Sequence, residues 1–258
     1  MIFSWLRARR RKKLLATPFP ERWLPYLERN LAQYRYLARD EQQRLRDNLR
    51  VFIAEKNWEG CNGLTVTDEM RVTIAAHACL MTLGLEGDPF GGLQSVLIYP
   101  TGYAVPQERW LEGWSISGIV GREGESWYRG PVVLSWDNIQ EDVEYAGHGN
   151  NLVWHEFAHQ LFNLDRSTNG TAPLEDPRQR RRWHEVMTAE YEQLVEDAEV
   201  GRATLLDEYG AENEAEFFAV ATECFFDCPE ELREEHPRLY ELLADYYRQD
   251  PAARIAGR

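Results

Sequence analysis

The sequence predicts an α+β fold, with helical patterns standing on both sides of a block of strands. Three observations carry that prediction. Apolar residues recur at three and four along residues 21–37, 40–56 and 70–83; runs rich in β-branched and aromatic residues follow between positions 95 and 136; and helical periodicity returns from Asn150 through residue 248. The chain has 258 residues, 43% of them hydrophobic, with nine tryptophans, which is enough to bury a substantial core and argues against disorder over most of its length.

The first 16 residues read as a basic tail ahead of one domain over residues 17–258. Arg7, Arg9, Arg10, Arg11, Lys12 and Lys13 put the excess charge there: residues 1–50 hold 13 Lys/Arg against 5 Asp/Glu, so they carry +8 and the remainder −22 within a net −14. Such a segment is expected to be solvated and mobile, with contact to an anionic membrane surface or nucleic acid as the other reading. The acidic remainder disfavours direct nucleic-acid binding by the main domain.

Pro18 and Pro20 then punctuate the chain before an antiparallel helical pair over about 21–56. Asp68 is the expected N-cap of a buried helix over Met70–Leu83, and Gly84 marks its end. Strands are expected at Ser95–Tyr99, at Ser115–Val120 and over Pro131–Trp136, which together make a small sheet. Beyond Asn150 come helices, a loop over 166–177, and further helices at 179–198, 213–227 and 236–248.

No run approaches the eighteen or so apolar residues that a membrane-spanning helix needs, and no signal-peptide order of basic, apolar and small residues appears at the start. A cytoplasmic protein is therefore expected. Cys61, Cys79, Cys224 and Cys228 are too scattered for a disulfide scaffold; Cys224 and Cys228, four apart, fit core packing better than a metal site, because no second pair stands at ribbon spacing.

The chemistry concentrates in His155-Glu156-Phe157-Ala158-His159. A helix places residues four apart on one face, about 6 Å from each other, so two imidazoles can serve one cation while Glu156, next around the helix, reaches a metal-activated water. Catalytic zinc needs a third protein ligand. Glu216, three residues past Asn213, reads either as the partner of a capping box or as that ligand, and Glu223 lies on the same stripe of an otherwise apolar helix. His148 is a competing loop ligand, whereas His77, His184 and His236 lack a matching partner.

Five further segments carry a resemblance together with the His155 motif: Phe52–Lys56, Gly63–Asp68, Ile74–Leu80, Gly130–Trp136 and Ala215–Val220. Over about Pro18 to Pro251 the chain resembles the Mlc titration factor A family of bacterial, gluzincin-like zinc peptidases. The resemblance implies a zincin-like single domain, with helices packed on a small mixed sheet whose edge strand borders the active-site cleft. It also implies one zinc ion per chain on His155, His159 and Glu216, Glu156 as general base, and Tyr209 assisting catalysis, where an ordinary loop tyrosine is the plain alternative. By analogy, the strand Val132, Val133, Leu134 and Ser135 pairs an extended peptide or protein substrate through its backbone, as in an aminopeptidase or a peptidase of broad specificity. Members of the family are also associated with binding a transcriptional repressor, so a regulatory protein that sequesters such a partner, with little or no hydrolysis, is the rival reading. Where relatives commonly carry an aspartate three residues past the motif, this chain has Phe162, which removes an acid able to orient a histidine ligand.

Overall fold

A computed structural model describes residues 2–101, 130–166 and 176–257, giving only the course of the chain at 2–4 and 163–166. In chain order it begins with α1 (Ile2–Leu15), α2 (Leu24–Asn30), a 3-10 turn at Ala32–Tyr36, α3 (Arg39–Glu55), β1 (Asn57–Gly60), α4 (Asp68–Met81), β2 (Ser95–Tyr99) and β3 (Val132–Ser135). Helices follow: α5 (Trp136–Glu144), α6 (Leu152–Arg166), α7 (Pro177–Glu199), a 3-10 turn at Glu208–Ala211, α8 (Glu214–Asp227), α9 (Pro229–Glu235), α10 (Pro237–Tyr247) and α11 (Pro251–Ala256). The class is α+β: mostly helical, with one small sheet.

Among the described residues the sheet has the order β1-β2-β3 and both pairings are parallel, with Trp58 opposite Val96 and Ile98 opposite Leu134, where a mixed sheet was expected. Parallel strands require a crossover, and α4 supplies the one between β1 and β2. The strand expected at Ser115–Val120 lies outside the described residues. β1 itself is new to the sequence reading, since Asn57-Trp58-Glu59-Gly60 is short and half polar.

Capping chemistry shifts several boundaries. Thr67, not Asp68, caps α4, its hydroxyl accepting from the Met70 N–H at 3.2 Å, while Asp68 opens the helix and accepts from Trp23 Nε1 at 3.0 Å. Gly84 is demanded by close approach: a Cβ there would run into the carbonyls of Tyr247 and Arg248 at the end of α10. The helix expected over 21–37 breaks at Leu31, whose backbone is extended (φ −125°, ψ 91°). Residues 2–15 are helical and docked, where the charge of the segment predicts a solvated tail. Arg7 and Arg11 each reach Glu55 at 2.6 Å, Arg7 meets Asp88 at 2.7 Å, and Arg50 donates to the Thr17 carbonyl at 2.7 Å.

The core lies between α6, α8, α4 and the sheet. Every residue of α8 from Glu216 to Phe226 is buried. Phe218 meets Trp183 and Tyr246 at ring distances of 5.9 and 5.7 Å, and Phe157 of α6 packs against Phe90 at 4.9 Å. Each such phenylalanine contributes about 1.5–3 kcal/mol by leaving water, so the two helices that bear the motif residues are held rigidly against each other. No described helix is long and apolar enough to cross a membrane.

Candidate metal centre

The start of α6 is set by Asn151, whose side-chain oxygen accepts from the Trp154 N–H at 3.0 Å, and by Asp142, which accepts from the Leu152 N–H at 2.7 Å. This capping puts Val153, Trp154, Phe157, Ala158 and Leu161 into the core and leaves the histidine stripe facing α8. The start of α8 is set by Asn213, whose Oδ1 accepts from the N–H groups of Ala215 and Glu216 at 3.0 and 3.1 Å. The Glu216 carboxylate does not return to the Asn213 N–H. It turns inward, which decides against a capping box.

Three atoms converge as a result. His155 Nε2 lies 3.0 Å from Glu216 Oε2, His159 Nε2 lies 3.2 Å from the same oxygen, and the two Nε2 atoms are 3.1 Å apart. Two nitrogens and a carboxylate oxygen around one cation, with bonds of about 2.0–2.2 Å in a tetrahedral arrangement, stand about 3.4 Å from one another. The donor set fits a metal ion of the zinc type with a position left open. These three are the group among the described residues able to hold one.

The electrostatics of the site favour positive charge. Burial opposes protonation of His155, but its hydrogen bonds to Glu216 and Glu223 outweigh that and lift its pKa to about 10. Burial likewise pushes Glu216 up, yet His155 and His159 hold its carboxyl at about 2. Glu223 Oε1 accepts from His155 Nδ1 at 2.7 Å and its other oxygen accepts from the Asn151 N–H at 2.5 Å, so it orients the ring and ties it to the helix cap. A metal held at Nε2 would take the place of the proton there and leave the Nδ1 bond intact.

Glu156 stands beside the group, partly buried, with no hydrogen-bond partner among the described residues; burial raises its pKa. Such a carboxylate is free to receive a proton. Tyr209 sits on the 3-10 turn before α8, its ring 6.0 Å from that of His155, and burial together with Glu216 lifts its hydroxyl to about 12. Gly210 permits this placement, since a Cβ there would come within 3.0 Å of Leu194 and 3.4 Å of Val220.

The remaining candidates separate from the centre. His148 is exposed and bonded to the Tyr145 carbonyl at 2.6 Å; His77 is buried against Trp154; His236 is paired with Glu190 at 2.7 Å. Phe162 packs against Phe218 at 6.0 Å, so this position belongs to the aromatic core. In β3, Val132 and Leu134 are buried, Val133 is half-buried, and the Ser135 hydroxyl caps α5 by accepting from the Asn138 N–H at 3.4 Å. Cys224 and Cys228 are buried free thiols 3.1 Å apart. The sequence reading missed Asn151 and Asp142; an Asn immediately ahead of the apolar periodicity was the available signal for the first, while the second acts from another helix.

Two imidazoles and a carboxylate brought together from two packed helices define a protein able to hold a metal ion. The chain belongs to the family described as glucose-regulated metallo-peptidase M90, whose model matches residues 5–248. It is 38% identical over 244 residues to an uncharacterised protein of Synechocystis sp., covering 94% of this chain and 89% of the relative. It is 34% identical to Mlc titration factor A of Serratia proteamaculans, covering 83% and 82% of the two chains, and 34% identical to that of Pectobacterium atrosepticum, covering 85% and 83%.

Proposed function

We propose that this chain is a cytoplasmic zinc-dependent peptidase, aminopeptidase-like or of broad specificity, with residues 17–258 as the catalytic unit and 1–16 as an accessory segment. The observation that carries the reading is the convergence of His155 Nε2, His159 Nε2 and Glu216 Oε2 beside a Glu156 that has no hydrogen-bond partner among the described residues. These three residues would hold one zinc ion, which when bound polarises the scissile carbonyl and acidifies the attacking water.

In this reading Glu156 accepts the proton of the water and later delivers it to the leaving amine; its raised pKa suits a group that must both take and give. Tyr209 keeps its proton at neutral pH and donates a hydrogen bond to the developing oxyanion. Glu223 acts through His155, holding its ring. The backbone of Val132, Val133, Leu134 and Ser135 would pair with an extended substrate, in keeping with the end position of β3 in the sheet order among the described residues and its contact with α6.

A second reading has support in the printed name of the relatives, Mlc titration factor A: the fold would bind and sequester a transcriptional repressor, with hydrolysis secondary. The two readings differ in what they ask of Glu156. Zinc content and turnover of aminoacyl chromogenic substrates should be measured for the wild type, Glu216→Ala and Glu156→Gln. The peptidase reading expects about one zinc per chain, lost in Glu216→Ala, with turnover lost in both variants. Zinc retained by Glu216→Ala sinks the ligand assignment, and a wild type that binds zinc but turns over nothing in the panel favours sequestration.

A further inference from the structure

The basic helix α1 has two faces with different tasks. Among residues 5–15, only Arg7, Arg11 and Leu14 are partly covered, and their spacing of four and three forms one stripe. That stripe docks the helix on the domain through Glu55 and Asp88. At 100° per residue the opposite face carries Trp5, Arg9, Lys12 and Lys13, with Leu6 and Arg10 on its flank. Trp5 is 59% and Leu6 41% exposed, and the Arg9 guanidinium lies over the Trp5 ring at 5.6 Å. None of Arg9, Arg10, Lys12 and Lys13 has an ion-pair partner among the described residues, and α1 contains no acidic residue.

We propose that this outward face of α1 binds the surface of an anionic lipid bilayer, the helix lying in the headgroup plane. Three cations on a face already fixed to the domain, with Arg10 at its flank, meet anionic headgroups without further ordering of the chain, and each is worth roughly fivefold in binding at such a surface. The apolar pair decides the class of partner. Trp5 and Leu6, standing in water among cations, are rewarded by a headgroup boundary, where indole and leucine leave water while the cations stay at the phosphates. A nucleic acid would neutralise the same cations but offer Leu6 little. The charge of the remainder, −22 from residue 51 onward, also orients the molecule: the body is repelled and α1 faces the surface.

The test is flotation of the full chain with vesicles of phosphatidylcholine alone and of phosphatidylcholine with about 30 mol% phosphatidylglycerol, at about 0.1 M NaCl. Two variants accompany it, Trp5→Ala/Leu6→Ala and Arg9→Gln/Arg10→Gln/Lys12→Gln/Lys13→Gln; both leave Arg7 and Arg11 in place, and circular dichroism checks the fold. Binding is expected at least tenfold tighter to the anionic vesicles, reduced at least tenfold by the charge variant and severalfold by the apolar variant, with hydrolytic activity on soluble substrates unchanged. Equal binding to both vesicles, no binding, or binding indifferent to the variants overturns the proposal. So does tight binding of a single-stranded oligonucleotide, lost in the charge variant, by a protein that ignores the vesicles.

Discussion

Glu223 and His155 form the contact on which the geometry of the centre turns: the carboxylate accepts from Nδ1 at 2.7 Å and fixes Nε2 toward Glu216 and His159. Because the second Glu223 oxygen accepts from the Asn151 N–H, both of its oxygens are engaged by donors. An amide in its place offers one acceptor and one donor, so Glu223→Gln must set an N–H against an N–H. Metal affinity should fall by roughly ten- to a hundredfold, as expected when a group that orients a ligating histidine is lost. Competition with a chromophoric chelator measures it directly; an unchanged dissociation constant in a folded variant would show that the histidine needs no such support.

Tyr209 should separate binding from turnover. It meets His155 through ring packing, and in the proposed mechanism its hydroxyl is the part that does the chemistry. Tyr209→Phe keeps the ring and should keep zinc, while kcat falls by about 10²-fold with KM little changed. Gly210→Ala should show the same signature more weakly, because the added methyl presses on Leu194 and shifts the turn that carries the tyrosine. Steady-state kinetics beside zinc content decides: a rise in KM with kcat intact would make Tyr209 a binding residue instead.

What could be read from the sequence, and what could not, follows the range of the interactions involved. The histidine pair was legible because helical period alone places residues four apart on one face. From the residues alone Glu216 was legible only as an alternative, with the family resemblance pointing to the ligand, since the choice between a cap and a ligand depends on where α6 lies. The docking of α1 was hidden, because Arg7 and Arg11 find their carboxylates 48 and 77 positions away at Glu55 and Asp88. The parallel sense of the sheet was equally hidden, as β1 is a four-residue strand with a weak pattern, and only its pairing with β2 across α4 reveals the direction. Phe162, read as the loss of an acid that could orient His159, packs against Phe218, and Glu223, already a candidate from its place on the stripe of α8, is the acid that bonds His155 Nδ1 from another helix.

Asp142 is strained in its charged form. Burial, then the neighbouring Glu223 and Asp227, push its pKa to about 6, against the help of the Leu152 N–H. A carboxyl raised in the folded state favours folding at low pH, and that contribution is lost as pH rises through about 6. Asp142→Asn keeps an acceptor for Leu152 and removes the charge. The variant should melt roughly 2–4 °C higher than wild type at neutral pH, with the gap closing toward pH 4. Thermal melts across that range check it, and a constant gap would assign the effect to packing instead of ionisation.

Glu55 titrates in the opposite sense. Burial raises its pKa, but the hydrogen bonds from Arg11 and Arg7 prevail and bring it down to about 2. A carboxyl depressed in the folded state stabilises the docked arrangement above its ordinary range near 4.5, and loses that contribution as pH falls toward about 2. Because the guanidinium groups hold α1 to α3, acidification should first free α1 and leave the core, which is built from aromatic packing, intact. Hydrogen exchange should therefore rise in residues 5–15 between pH 4.5 and 2 while α6 and α8 stay protected. Glu55→Gln should produce the same local opening at neutral pH, since a neutral amide cannot satisfy two guanidinium groups. Uniform loss of protection across α1, α6 and α8 would mean instead that α1 and the core open as one cooperative unit.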